Sequence, residues 1–166
     1  NSLSDLLVFG KLAGEHASKY CERNSQKESF DKNILNIIRK NTDILNKEEG
    51  ANPYLLHRQI QKIMDNYVGI VREEKELIEG INQLENIKIE LLSMKADSAS
   101  QYNPGWNLAI DLNNMIIICE AVARAALNRQ ESRGAHTRED YPEERKDCIT
   151  FNNIIKKAED GSMSIY

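Results

Sequence analysis

Residues 106–142 read WNLAIDLNNMIIICEAVARAALNRQESRGAHTREDYP, an apolar stretch followed by a dense group of charges. In the apolar part, hydrophobic residues recur at intervals of three and four, the spacing that lines one face of an α-helix. That face comprises Leu108, Leu112, Met115, Ile116, Cys119, Val122, Ala123 and Ala126. Ile117 and Ile118 widen the face, so the pattern predicts a helix that is covered on most sides and buries Ile117.

The two ends of this helix carry recognisable signals. Asn103-Pro104-Gly105 separates it from any earlier helix, because proline disfavours a helical conformation in the residue before it. Gly134 follows the expected helix end at residues 130–133, where glycine adopts the left-handed conformation of a helix cap at little cost. The segment ESRGAHTREDYP, Glu131 to Pro142, then combines two arginines, one histidine and three acids. A polar segment at the end of a buried helix predicts a surface for contact with another part of a protein.

Length and composition exclude several classes of protein. A chain of 166 residues, of which 40% are hydrophobic, suits one domain with a real core. Its 26 acidic and 22 basic residues are interspersed and give a net charge of −4, which argues against a nucleic-acid partner. No apolar run approaches the roughly 20 residues of a membrane span. Cys21, Cys119 and Cys148 are odd in number and widely separated, which argues against a disulfide framework and a zinc site.

Two helices are predicted near the start of the chain. Ser2 or Ser4 begins the first helix, which runs to about Arg23. One stripe of it contains Leu3, Leu7, Gly10, Gly14 and Ala17. The two glycines predict close packing against another helix, with a cofactor or second domain on that face as the alternative. The second helix covers residues 31–46 and is predicted to point five residues inward: Ile34, Ile37, Ile38, Ile44 and Leu45.

Two more helices and a hairpin complete the predicted fold. Asn52-Pro53 starts a helix that bends at Gly69 without stopping. Residues 72–94 form the next helix, with an inward stripe of Leu77, Ile81, Leu84, Lys88 and Leu91, the lysine snorkelling from its edge. In the tail, Ile149, Phe151, Asn153 and Ile155 alternate before an Asp160-Gly161 turn, which predicts a β-hairpin. The fold class is mainly α, an up-and-down bundle of three to four long helices plus the N-terminal helix, with a short C-terminal β-hairpin.

No motif that carries chemistry by itself occurs in the sequence. Dinucleotide-binding, phosphate-binding, nucleophile-elbow and zinc-protease signatures are all missing. His16, His57 and His136 are isolated, and each is interpreted as a surface or capping residue. Four arginines are assigned to helix faces, where solvation or salt bridges are the default: Arg39, Arg58, Arg72 and Arg124. The sequence therefore predicts no catalytic residue and no metal site.

Three stretches nevertheless resemble one family. They are NSLSDLLVFGKLAGEHA at residues 1–17, YVGIVR at residues 67–72, and NPGWNLAIDLNNMIIICEAVARAAL at residues 103–127 followed by ESRGAHTREDYP. In this order they resemble the C-terminal helical domain of the flavoprotein subunit of succinate dehydrogenase and fumarate reductase. The resemblance implies a domain-sized part of a longer subunit, because the family's FAD-binding and catalytic residues lie upstream of these motifs. The chain by itself is accordingly expected to be inactive and to hold no cofactor.

The resemblance also implies domain boundaries and site residues. Residues 1–25 would be the end of the flavin-domain motif and its helix, residues 26–142 the bundle domain, and residues 143–166 the hairpin tail. Ser2 and Leu3 would contact the pyrimidine end of FAD, where the free amides and partial positive charge of a helix N-terminus suit a reduced flavin. Arg133, His136 and Arg138 would belong to a motif that packs against the flavin domain. For each of these three, a capped helix end with local ion pairs remains the alternative.

By this resemblance the parent subunit would interconvert succinate and fumarate and pass electrons through FAD to an iron–sulfur partner and a quinone. Its partners would be the flavin-binding domain of the same subunit, the iron–sulfur subunit and, indirectly, membrane anchor subunits. The complex would lie at the cytoplasmic face of the cell membrane. Two alternatives remain open: a non-catalytic helical interaction module, and the matching domain of a related flavoenzyme such as L-aspartate oxidase or a thiol-driven fumarate reductase.

Overall fold

The structure, a computed structural model, describes residues 2–24, 33–97, 101–149 and 152–166. Its backbone forms two compact units, residues 1–37 and 38–166. The described ranges contain five α-helices: α1 (Ser2–Arg23), α2 (Asn33–Asn46), α3 (Pro53–Tyr67), α4 (Glu74–Leu91) and α5 (Pro104–Asn128). None of the helices in these ranges is long and apolar enough to cross a membrane. The domain boundaries at residues 25 and 142 remain predictions.

In the first unit, α1 is a continuous helix whose described side chains are all exposed. Within this unit, a Cβ built at Gly10 or Gly14 meets no described atom within 4 Å, and the close packing predicted at these glycines stays a prediction. Helix α2 crosses the boundary between the two units, and the inward face predicted for it is wrong at three of its five residues. Ile34, Ile37 and Ile38 are exposed, whereas the prediction is confirmed for Ile44, which is buried, and for Leu45, which is partly buried against the core of the second unit.

The core of the second unit lies between α3, α4 and α5. Asn52 caps α3 by accepting a hydrogen bond from the Tyr54 amide at 2.8 Å, and Pro53 occupies the first turn, as predicted. On α4, the predicted stripe is confirmed at Leu77, Ile81, Leu84 and Leu91. The buried apolar side chains of the unit are Ile44, Leu56, Ile60, Ile63, Val68, Leu77, Ile81, Leu84, Ile87, Leu91, Met94, Ala96, Ala109, Leu112, Ile116, Ala123 and Ala126.

The predicted continuation of α3 through Gly69 is wrong. The helix ends at Tyr67, and the Val68 amide closes its last turn on the Met64 carbonyl at 3.1 Å. The chain is then held in a turn by Arg72, whose Nε donates to the carbonyls of Val68 and Gly69 at 3.0 and 2.9 Å. These side-chain hydrogen bonds replace the amide donors that a continuing helix would have supplied.

Helix α5 begins where the sequence indicated, with Asn103 accepting a hydrogen bond from the Trp106 amide at 2.9 Å. Its buried line runs through Ala109, Leu112, Ile116 and Ala123, whereas Ile117 and Ile118 are 52% and 63% exposed. The predicted burial of Ile117 is therefore wrong. Each residue of a helix turns the side-chain direction by about 100°, so Ile117 points well away from the face that contains Ile116.

The end of α5 also differs from the prediction. The helix stops at Asn128, before residues 130–133. Gly134 does have a left-handed backbone, with φ of 60°, but it lies in the turn that joins Arg133 to His136 and does not cap the helix. Here the sequence signal identified the backbone conformation correctly and assigned it to the wrong structure.

Two small sheets complete the second unit. Strands β1 (Val71–Arg72) and β2 (Thr137–Arg138) pair in parallel, and β3 (Ile155–Lys157) pairs antiparallel with β4 (Met163–Ile165). Gly161 in the β3–β4 turn has φ of 85°. The predicted hairpin is confirmed, although Ile149 follows a short 3-10 helix and belongs to no strand. Phe151, predicted in the alternating tail, and Asp31, predicted in the second helix, lie outside the described residues. The mainly α bundle with a C-terminal hairpin is therefore confirmed.

Candidate functional site

The candidate site is the polar segment, defined here as residues 131–147, which follows α5. It contains two charged side chains with no exposed surface, Glu131 and Arg138. Burial of a charge is unfavourable unless hydrogen bonds and opposite charges replace the lost water. The partners of these two residues therefore determine how the segment is built.

Arg138 joins the end of α5 to the polar segment. Its Nη1 donates to the carbonyls of Ala126 and Leu127 at 2.9 and 3.2 Å, and to that of Arg129 at 3.3 Å. Carbonyls in the last turn of a helix have no partner within the helix, and a cation there also complements the helix dipole. The buried guanidinium of Arg138 thus completes the C-terminus of α5.

The same guanidinium is held by a carboxylate that also contacts α4. Arg138 Nε and Nη2 donate to the two oxygens of Asp140 at 2.8 and 2.6 Å. Asp140 also accepts a hydrogen bond from the Glu74 amide at 3.0 Å, in the first turn of α4. The hydrogen bonds from Arg138 lower the pKa of Asp140, so the carboxylate stays charged. Arg138 and Asp140 together connect the end of one core helix to the start of another.

Glu131 forms the second buried centre. Its carboxylate accepts hydrogen bonds from Arg133 Nη2 at 2.9 Å, from the Arg145 amide at 3.0 Å, and from Arg129 Nη1. Hydrogen bonding to Arg133 lowers the pKa of Glu131 to about 2, although burial acts in the opposite direction. The segment between Arg129 and Arg145 is therefore folded around one ionised carboxylate.

The sequence predicted His136 to be an isolated surface or capping residue; the structure contradicts its isolation, whereas its contact with the C-cap residue of α5 fits a capping role. Its Nδ1 lies 2.7 Å from Nη1 of Arg72, and its Nε2 lies 3.1 Å from the Arg129 carbonyl. Because a guanidinium only donates and a carbonyl only accepts, the ring is neutral with its proton on Nε2. Burial lowers the pKa of His136, and the charge of Arg72 acts in the same direction. Arg72 itself lies on β1, not on a helix face as predicted.

The structure also reveals a buried charge on α5 that the sequence reasoning missed. Glu120 lies on the core face and pairs with Lys88 of α4 and with Arg124 one turn further along α5. Burial opposes its ionisation, but the hydrogen bonds from Lys88 and Arg124 outweigh this effect and lower the pKa of Glu120. The available signal was a pair of opposite charges on the apolar stripes of two neighbouring helices. Lys88, predicted to snorkel, is instead part of this interhelical ion pair.

The two predicted cofactor contacts lie in the first compact unit. Helix α1 begins at Ser2, and the side chain of Leu3 is 76% exposed. The side chain of Ser2 lies outside the described part of the structure, so its predicted role remains a prediction. Among the described residues, no group of three or more His, Cys, Asp or Glu side chains is placed to hold a metal ion.

Comparisons with known proteins agree with the architecture. Residues 57–165 match the family described as the fumarate reductase flavoprotein C-terminus. An uncharacterised FAD-dependent oxidoreductase of Methanocaldococcus jannaschii is 30% identical to the chain over 160 residues. This alignment covers 95% of the chain and 28% of that protein. It is 33% identical over 149 residues to the succinate dehydrogenase flavoprotein subunit of Coxiella burnetii, with 86% and 25% of the two chains covered.

A solved structure gives the same result. The apo form of the Sdh1 complex of Mycobacterium smegmatis contains a chain that aligns with a TM-score of 0.79 and 40% identity, over 89% of this chain and 25% of that chain. The sequence thus spans about a quarter of the length of these relatives. Since the family match covers most of the sequence, from α3 to the C-terminal hairpin, the chain belongs to the family of fumarate reductase flavoprotein C-terminal domains.

Proposed function

We propose that this chain is the C-terminal helical domain of a flavoprotein subunit that interconverts succinate and fumarate. The observation that carries the proposal is the match of residues 57–165 to the fumarate reductase flavoprotein C-terminus. The 33% identity to a curated succinate dehydrogenase subunit supports the same reaction class. The proposed subunit passes electrons to an iron–sulfur partner and on to a quinone, at the cytoplasmic face of the cell membrane.

The cofactor of the proposed subunit is FAD, which supplies hydride transfer when bound. We assign one edge of that group to the start of α1. Helix α1 starts at Ser2, and the first amides of a helix have no partner within it, so they are available to an acceptor such as the polar end of the isoalloxazine ring. The exposed side chain of Leu3 offers an apolar contact beside them. The remaining FAD contacts are assigned to the flavin-binding domain of the parent subunit.

The proposed role of the polar segment is to present a rigid surface to that flavin-binding domain. Glu131 fixes the segment from inside, Arg138 fixes it to the end of α5, and Asp140, which Arg138 holds, fixes it to the start of α4. Side chains held by several charge-assisted hydrogen bonds lose little further freedom when a partner docks, which favours association. Arg133, His136 and Arg138 therefore act as positioning residues, and none of them transfers a proton or hydride.

The test uses the full-length gene product that contains this sequence. We expect the purified protein to carry stoichiometric flavin and to reduce an artificial dye with succinate as the electron donor. L-Aspartate and a pair of thiols serve as alternative donors, because they distinguish the two related classes of flavoenzyme. Dye reduction with either of these donors and none with succinate would contradict the proposed substrate. The absence of flavin from the full-length protein would instead favour a non-catalytic interaction module.

The chain of 166 residues provides the control for this test. We expect it to be colourless and inactive with succinate while still unfolding cooperatively as a helical protein. Stoichiometric flavin binding by this chain would contradict the assignment of most FAD contacts to another domain.

A further inference from the structure

His136 occupies a junction between three parts of the fold. It directly precedes β2, receives a hydrogen bond from Arg72 of β1, and donates one to the carbonyl of Arg129 just beyond α5. Arg72 in turn donates to the carbonyls of Val68 and Gly69 at the end of α3. One imidazole ring therefore links the end of α5, through a guanidinium, to the end of α3.

This arrangement requires a neutral ring. Nδ1 accepts from Arg72 only when it carries no proton, and a proton on this atom would place two donors against each other at 2.7 Å. The charged groups around the ring would add to the repulsion. Arg72 faces it from β1, Arg138 from β2, and Arg129 from the end of α5, and all three are cations.

The two carboxylates that bond Arg138 and Arg129 are already engaged. Asp140 accepts hydrogen bonds from Nε and Nη2 of Arg138, and it also accepts one from the Glu74 amide in the first turn of α4. Glu131 is surrounded by its own donors, among them Arg129 and Arg133. On α4, the side chain of Glu74 is exposed to solvent. A proton added to His136 would therefore meet three cations whose nearby counter-ions are already engaged.

From this geometry we propose that His136 is an acid-sensitive latch. When its ring is neutral, it ties β1 and β2 to the end of α5. When Nδ1 is protonated, Arg72 loses its acceptor and the segments around residues 68–74 and 133–141 separate from the helix ends. This role concerns the folding of the domain itself and does not depend on the reaction of the parent subunit.

The test is amide hydrogen exchange of the full-length protein, measured at about pH 7.5 and about pH 5 and corrected for the intrinsic pH dependence of exchange. The probe amides lie in residues 133–141 and include Glu139, which donates to the Arg72 carbonyl. We expect protection there to fall several-fold in acid, because protonation of Nδ1 removes the acceptor of Arg72. Amides in the centre of α4 serve as the internal control.

The matched variant is His136→Gln, whose amide oxygen accepts from Arg72 and whose amide nitrogen donates to the Arg129 carbonyl without titrating. Its protection in residues 133–141 is expected to change less than about twofold over the same interval. An equal loss of protection in the parent and in His136→Gln would overturn the proposal.

A second measurement covers the case in which the variant does not fold. Nitrogen-15 NMR of the parent protein with labelled histidine reports the protonation state of each ring, with the exposed His16 as the reference. The latch requires an Nε2-protonated His136 at neutral pH that titrates in step with the loss of amide protection. A proton on Nδ1 at neutral pH would overturn it.

Discussion

At the residue scale, the buried carboxylate of Glu131 gives the domain a specific sensitivity to acid. Its folded pKa of about 2 lies below the ordinary value of 4.5, chiefly because Arg133 donates to it. A depressed pKa means that ionisation of this group stabilises the folded state above pH 4.5, and that this contribution is lost as the pH falls from 4.5 towards about 2. As the pH falls, the Glu131 carboxylate binds a proton at a higher pH in the unfolded chain than in the folded chain, and this difference favours unfolding.

The first prediction concerns Glu131→Gln. We expect this variant to be less stable than the parent at neutral pH, because Arg133 and Arg129 lose their buried counter-ion, and to lose less further stability between pH 4.5 and about 2. Denaturant midpoints across this pH interval provide the measurement. Glu144→Gln is the matched control, since Glu144 contacts the same Arg133 but its side chain is 64% exposed. Parallel pH profiles for the parent and Glu131→Gln would contradict the prediction.

At the scale of elements, burial in α5 distinguishes two adjacent isoleucines. Ile116 lies in the core, whereas Ile117 is half exposed. We expect Ile116→Ala to lower the free energy of unfolding by about 2–5 kcal/mol through lost burial and the cavity that remains. Ile117→Ala should cost less than about 1 kcal/mol, because much of that side chain is already in water. Chemical denaturation of both variants provides the comparison, and equal midpoints would show that the two faces of α5 are assigned incorrectly.

The elements that the sequence predicted well have strong local signals. Asn52-Pro53 both caps and starts α3, and the stripe of α4 alternates cleanly with charged residues. In α5 every position from Met115 to Cys119 is apolar, so periodicity alone could not show which side meets the bundle. The end of α3 was missed for a different reason. Its stop depends on Arg72 binding the carbonyls of the turn, and this contact is not visible in local spacing.

In the candidate site, contacts between residues close in sequence were predicted, whereas contacts between residues far apart in sequence were not. The alternative of a capped helix end with local ion pairs describes Arg133 with Glu131 and Arg138 with Asp140, each pair only two residues apart. The contact between Arg72 and His136 joins residues 64 positions apart, and the Lys88–Glu120 pair joins two helices. Such pairs depend on how the bundle packs, so a single sequence can mark the charges on an apolar stripe, as at Lys88 and Glu120, but does not show which residues meet.

At the scale of the whole molecule, the prediction concerns the start of α1 in the full-length subunit. If the Ser2 side chain caps α1 and contacts FAD, Ser2→Ala should cost about 0.5–2 kcal/mol at the helix end. Part of that loss of free energy would differ between the protein with oxidised flavin and the protein with reduced flavin. Since about 1.4 kcal/mol corresponds to roughly 30 mV for a two-electron couple, the midpoint potential should shift by at most a few tens of millivolts.

A redox titration with flavin content measured in parallel tests this prediction. Ser4→Ala is the control, because Ser4 lies on the same helix and its side chain is exposed. We expect the control to keep the parental potential and full flavin occupancy. The same result for Ser2→Ala would mean that Ser2 is only a helix cap, and its assignment as a cofactor contact would be withdrawn.

The parallel pairing of β1 with β2 has a further consequence, which concerns the order of folding. Arg72 and His136 meet across 64 residues of chain, and α4 and α5 lie within that loop. Closing a long loop reduces chain entropy before any contact compensates, whereas packing of α4 against α5 shortens the distance to be closed. The strand pair should therefore form after the rate-limiting step, so substitutions in it would accelerate unfolding and leave the rate of folding nearly unchanged.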